Sequence, residues 1–129
     1  MLYFQAKCFS SHDQIEKLKI EVTTYLEQYY NSHDGDEKTR LLDKFKEIGA
    51  NLIKVLFFIL RTGNEREAEY AAELAKSIQF KDYSQRGLIK LVKFLHSYID
   101  DSESSIESCR VAVRLLVKIH KLKRVQVTD

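Results

Sequence analysis

The sequence predicts an all-α fold: a short right-handed α-solenoid of about three helix–loop–helix units, six helices in all, with a compact helical bundle as the alternative. Three observations carry this expectation. The 129 residues include no proline, no tryptophan and four glycines, so the special backbone angles that a turn-rich β fold needs every few residues are scarce. Apolar residues recur at spacings of three and four along most of the chain. A similar helix start returns after 36 residues, at Leu52 and then at Leu88. A hydrophobic content of 44% with 31% charged residues suits one domain's worth of core and a solvated surface.

The helices follow in order. From His12 to about Asn31, Ile15, Leu18, Val22, Tyr25, Leu26 and Tyr29 make one face of an amphipathic helix, with Ser11 or Asp13 as the candidate cap. Residues 31–36 read as a loop of small polar residues and Gly35. A second helix runs from about Glu37 to Glu47, with Leu41, Leu42, Phe45 and Ile48 apolar and Gly49 as its stop. The third, about Asn51 to Arg61, is nearly all apolar and is expected to be the most buried. Thr62-Gly63-Asn64 breaks it.

The fourth helix, about Glu65 to Ile78, carries Ala68, Ala71, Ala72 and Ala75 with Leu74 and Ile78. Small side chains there allow close approach of a neighbour. A polar break from Phe80 to Arg86 ends at Gly87. The fifth helix covers about Leu88 to Ile99, with a start nearer Ser84 as the alternative, and Leu88, Leu91, Val92, Leu95 and Ile99 are apolar. The acidic stretch 100–104 suits a helix entry, where negative charge meets the positive end of the dipole. The sixth runs from about Ser105 to Lys121, with Ile106, Cys109, Val113, Leu116, Val117 and His120 as its expected apolar face. Residues 1–11 read as an N-terminal extension or tag remnant, because Leu2-Tyr3-Phe4-Gln5 matches the end of a common tag-protease site. Residues 12–124 read as a single helical-repeat domain and 125–129 as a tail.

Paired helices with a period in the high thirties mark an α-solenoid, because a two-helix unit cannot bury its apolar face alone and must stack on neighbours. Leu52-Ile53-Lys54-Val55-Leu56 aligns with Leu88-Ile89-Lys90-Leu91-Val92, each a few residues at most after a glycine, and each is followed by a polar loop and a second helix with small residues. Over about residues 13–121 this pattern resembles armadillo and HEAT repeats, closer to HEAT for want of a separate short first helix. That resemblance implies a binding module. A second resemblance rests on Leu60-Arg61-Thr62-Gly63-Asn64-Glu65 followed by Ala71, Ala72, Leu74 and Ala75. It is to the small N-terminal helical domain of transcription elongation factors, which docks short disordered motifs. It covers about residues 41–80 and lacks that family's closing tryptophan.

No nucleophile elbow and no phosphate-binding glycine loop occurs. The four histidines are scattered, and Asp34-Gly35-Asp36 lacks the ligand series of a calcium loop, so it reads as a solvated turn. Asp100 and Asp101 read as a helix-entry loop rather than an acid–base pair. The expectation is therefore a protein that is not an enzyme, with no cofactor and no metal. Cys8 and Cys109 fit no metal spacing and read as two reduced thiols. No apolar run reaches the roughly 18 residues of a membrane helix and no signal peptide is evident. An intracellular location, cytoplasmic or nuclear, is the expectation, with no membrane partner.

Charge is uneven. Residues 1–78 carry 11 basic and 13 acidic side chains, residues 79–124 carry 10 and 5. Arg110, Arg114, Lys118 and Lys121 fall on one face of the sixth helix, extended by Lys123 and Arg124, and Glu65, Glu69 and Glu73 make an acidic stripe on the fourth. If both stripes line one concave surface, they make a groove acidic in the middle and basic at one end. The expected function is that of a protein-interaction module of an adaptor or scaffold, docking a peptide or partner helix, acidic or phosphorylated, at the basic end. Nucleic-acid binding through the same cations is the rival, disfavoured by the formal net charge of only +2 and by the glutamate stripe. Tyr29-Tyr30 is a candidate interface anchor or core pair. Self-association through uncovered end units also fits three repeats.

Overall fold

A computed structural model describes residues 12–49, 51–101 and 103–122. These residues form six α-helices: α1 His12–Asn31, α2 Gly35–Ile48, α3 Asn51–Thr62, α4 Glu65–Ser77, α5 Gln85–Asp100 and α6 Ile106–His120. The fold is all-α, and the element order is compatible with a helical repeat. Leu2 to Gln5, Cys8, Ser11, Lys123, Arg124 and the tail 125–129 lie outside the described residues, as does any pairing of Cys8 with Cys109. Asp13 lies inside α1.

Local chemistry sets the helix ends. The Asp34 carboxylate accepts from the Asp36 backbone N–H at 3.0 Å and caps α2. Asn64 and Glu67 form a reciprocal capping box on α4: Asn64 Oδ1 accepts from the Glu67 N–H at 2.8 Å and Glu67 Oε1 from the Asn64 N–H at 2.9 Å. Ser84 and Ser105 cap α5 and α6, accepting from the Gly87 and Ser108 N–H groups. One loop expectation is corrected by these caps: Gly35 is the first residue of α2, because Asp34 offers a side-chain acceptor that starts the helix earlier. For α5 the earlier of the two expected starts is the one observed, with Ser84 as the cap and Gly87 in the first turn.

Gly49 does stop α2. Its φ of 71° and ψ of −138° lie where a Cβ is strained, and its N–H donates to the Lys46 carbonyl at 3.0 Å. Gly49→Ala is expected to cost about 1–3 kcal/mol, measured by urea denaturation followed by circular dichroism. Gly63 is needed for a different reason, since a Cβ there would stand 2.8 Å from the Ile59 carbonyl oxygen.

By contacts the chain divides into two compact units, with the boundary inside α4 between Ala71 and Ala72. In the first, α1 packs along α3, and α2 packs on both. The core residues include Val22, Leu26, Leu41 and Phe45. Seven of the twelve residues of α3 are buried, Ile53, Val55, Leu56 and Ile59 completely, as its continuous apolar run demands. Tyr30 and Tyr70 stack at 4.9 Å, Tyr29 meets Tyr30 and Phe45 edge-on, and Arg66 approaches Glu27 at 3.9 Å. The Tyr29-Tyr30 pair thus packs within this unit, each ring half-buried. In the second unit α5 packs on α6, burying Leu88, Leu91, Leu95 and Tyr98 against Val111, Ala112, Leu115 and Ile119. Phe80 and Tyr83, in the stretch read as a polar break between helices, meet edge-on at 5.2 Å with Phe80 fully buried.

The expected apolar face of α6 is corrected. Its buried residues are Ser108, Val111, Ala112, Leu115, Leu116 and Ile119. Of the expected set only Leu116 is buried; Cys109 is half-buried, and Ile106, Val113, Val117 and His120 are exposed. The helix is apolar on two sides, and the Val111-Ala112, Leu115-Leu116, Ile119 stripe is the more continuous of the two. It therefore wins the core, because it buries more area per turn.

Candidate functional site

The core-facing stripe of α6 dictates what the opposite side presents. At 100° per residue, Arg110, Val113, Arg114, Val117 and Lys121 fall within about a third of the helix circumference, diametrically opposite Leu115 and Ile119. In the structure these five, with Lys118, line an open concavity of about 460 Å³. Val113 and Val117, in this lining, are 48% and 49% exposed, and Ile106 is 75% exposed one turn before Arg110. The four cations expected on one face are therefore brought together, beside two exposed valines. Glu65, Glu69 and Glu73 are all exposed on α4 but are not part of this lining, and Glu73 pairs with Lys76 at 3.1 Å.

The cations are not equivalent. Lys118 Nζ donates to the backbone carbonyls of Lys76 and Ile78, each at 2.7 Å. Those carbonyls lie at and just beyond the end of α4, where acceptors are left without intrahelical partners. Lys118 is thus a fastener between α6 and the end of α4 within the second unit. Burial pushes its pKa below the usual lysine range, and the neighbouring Arg114 charge pushes it the same way. Among the described residues, no carboxylate pairs with Arg110, Arg114 or Lys121. Lys118→Met keeps the aliphatic stem but leaves two carbonyls without their donor. It is expected to lower stability by about 1–2 kcal/mol, while Lys121→Met shifts it by less than about 0.5 kcal/mol; urea denaturation of both variants distinguishes them.

Sequence reasoning placed the cations correctly and missed Val113 and Val117 as surface residues. The signal was present. Arg110, Arg114 and Lys121 share the valines' side of the wheel, and a face bearing three such side chains without partners is not a core face.

Elsewhere, Asp34 is committed to capping α2, Asp101 accepts from the Glu103 N–H at 2.9 Å as a turn residue, and Cys109, which has no disulfide partner among the described residues, lies near the Ile99 carbonyl. Among the described residues no three His, Cys, Asp or Glu side chains are grouped to hold a metal ion, and no helix is long and apolar enough to cross a membrane. Comparison with protein families, with curated proteins and with solved structures gives no match.

Proposed function

We propose that the chain is a protein-interaction module of the adaptor or scaffold kind, and that the outer face of α6 docks an acidic or phosphorylated peptide or partner helix. The observation that carries this reading is that Arg110, Arg114 and Lys121, which pair with no carboxylate among the described residues, share one concavity with the exposed Val113 and Val117. Arg110 and Arg114 are like charges one helical turn apart, as are Arg114 and Lys118. Such i,i+4 pairs weaken an isolated helix by about 0.2–0.5 kcal/mol each, and an anionic partner would relieve that repulsion. An arginine fork also suits carboxylate or phosphate.

The repeat reading belongs to the same proposal, with each helix pair as one armadillo- or HEAT-like unit of an intracellular protein. What supports it is register. Leu52, Val55 and Ile59 of α3 are buried, and so, 36 residues on, are Leu88, Leu91 and Leu95 of α5.

The test is binding of a glutamate-rich peptide, against generic RNA as the rival ligand, each measured at low and moderate salt. Peptide binding that weakens with salt, without an RNA gel shift, supports the reading. An RNA shift at low salt with no peptide binding replaces it with nucleic-acid contact through the same cations.

A further inference from the structure

The α6 concavity is apolar along one side, at Val113 and Val117, and cationic along the other, and such a divided surface is a poor cradle for an isolated phosphate. A phosphate site gathers its donors around one point. Here Arg110 and Arg114 stand a full turn apart, Lys118 is held by the carbonyls of Lys76 and Ile78, and Val113 and Val117 line the same concavity beside the cations. Ile106, Val113 and Val117 follow one another at steps of seven and four, the spacing of a seam that faces another helix. From Ile106 to Lys121 the seam extends about 22 Å at 1.5 Å per residue, enough for four turns of a partner.

Resting on the docking function proposed above, we infer that the partner is an acidic amphipathic α-helix. It lays an apolar stripe on Ile106, Val113 and Val117 and places Asp or Glu side chains against Arg110, Arg114 and Lys121. Such helix-in-groove recognition is read by anchors at i, i+3, i+4 and i+7. The acidic stripe of α4 in a second copy does not meet this description. Arg66 and Lys76 interrupt it, and it offers no apolar anchors between Glu65, Glu69 and Glu73.

The probe is a fluorescent helix-forming peptide of about fifteen residues, with leucines along one face and glutamates along the flank that meets Arg110, Arg114 and Lys121. One control has the same composition scrambled so that the leucines share no face, and a second is a phosphoserine peptide without leucines. Binding to the full chain is measured by anisotropy. The patterned peptide is expected to bind at least tenfold tighter than either control. It is expected to lose at least tenfold affinity when Val113→Gln and Val117→Gln are combined, with helical circular dichroism unchanged.

Equal affinity for the patterned and scrambled peptides, preference for the phosphopeptide, or indifference to the valine substitutions overturns the helix inference. In those cases Arg110→Glu with Arg114→Glu still abolishes binding if the acidic-peptide function holds. If the arginine substitutions have no effect, or none of the three peptides binds, both fall.

Discussion

Leu115→Gln lowers the stability of the folded chain by about 3–5 kcal/mol, whereas Val113→Gln, two positions away on the same helix, changes it by less than about 0.5 kcal/mol. The first figure combines the loss of about 1.5–3 kcal/mol of apolar burial with about 1–3 kcal/mol for an amide buried without partners. Leu115 is fully buried in the packing of α5 on α6. Val113 is 48% exposed and glutamine is the better helix former, so little is lost there. Urea denaturation of both variants decides the orientation of α6. The reverse ranking would put the valines in the core and remove the concavity altogether.

Arg110→Glu combined with Arg114→Glu reduces affinity for an acidic peptide at least about a hundredfold, equivalent to about 2.7 kcal/mol. Each charge-assisted contact is worth about 1.5–3 kcal/mol, and reversal replaces attraction with repulsion. Both side chains are exposed and make no ion pair with a described residue, so helicity is retained. Fluorescence anisotropy beside a circular dichroism spectrum checks the two halves of this expectation. An unchanged affinity would show that the acidic peptide binds elsewhere.

Much of the fold was legible because helix periodicity and caps are local. The apolar stripes of α1, α2 and α5 were read with the correct face: Val22 and Leu26, Leu41 and Phe45, and Leu88, Leu91 and Leu95 are buried. Where two local signals compete, reading fails in a systematic way. Gly35 looks like a breaker, yet a capping Asp34 just ahead of it starts the helix. In α6 nine of the fifteen residues are apolar, so spacing by three and four fits two opposite faces, and packing on α5 fixes which of them is buried.

The site was legible in its charges and not in its valines or its fastener. Arg110, Arg114 and Lys121 follow from spacing alone. The role of Lys118 depends on the carbonyls of Lys76 and Ile78, 42 and 40 residues away, a tertiary relationship that no local pattern encodes. Val113 and Val117 share their side of the wheel with Arg110, Arg114 and Lys121, a signal that the spacing of the apolar residues alone does not weigh.

The most direct test of the docking face is amide chemical-shift mapping of the full chain with the patterned acidic peptide. The predicted result is perturbation concentrated at residues 106–121 of α6, strongest around Val113, Arg114 and Val117, with the amides of α1 and α2 unmoved. Perturbation centred on α1 to α3, with α6 silent, would contradict the assignment of this face as the docking surface.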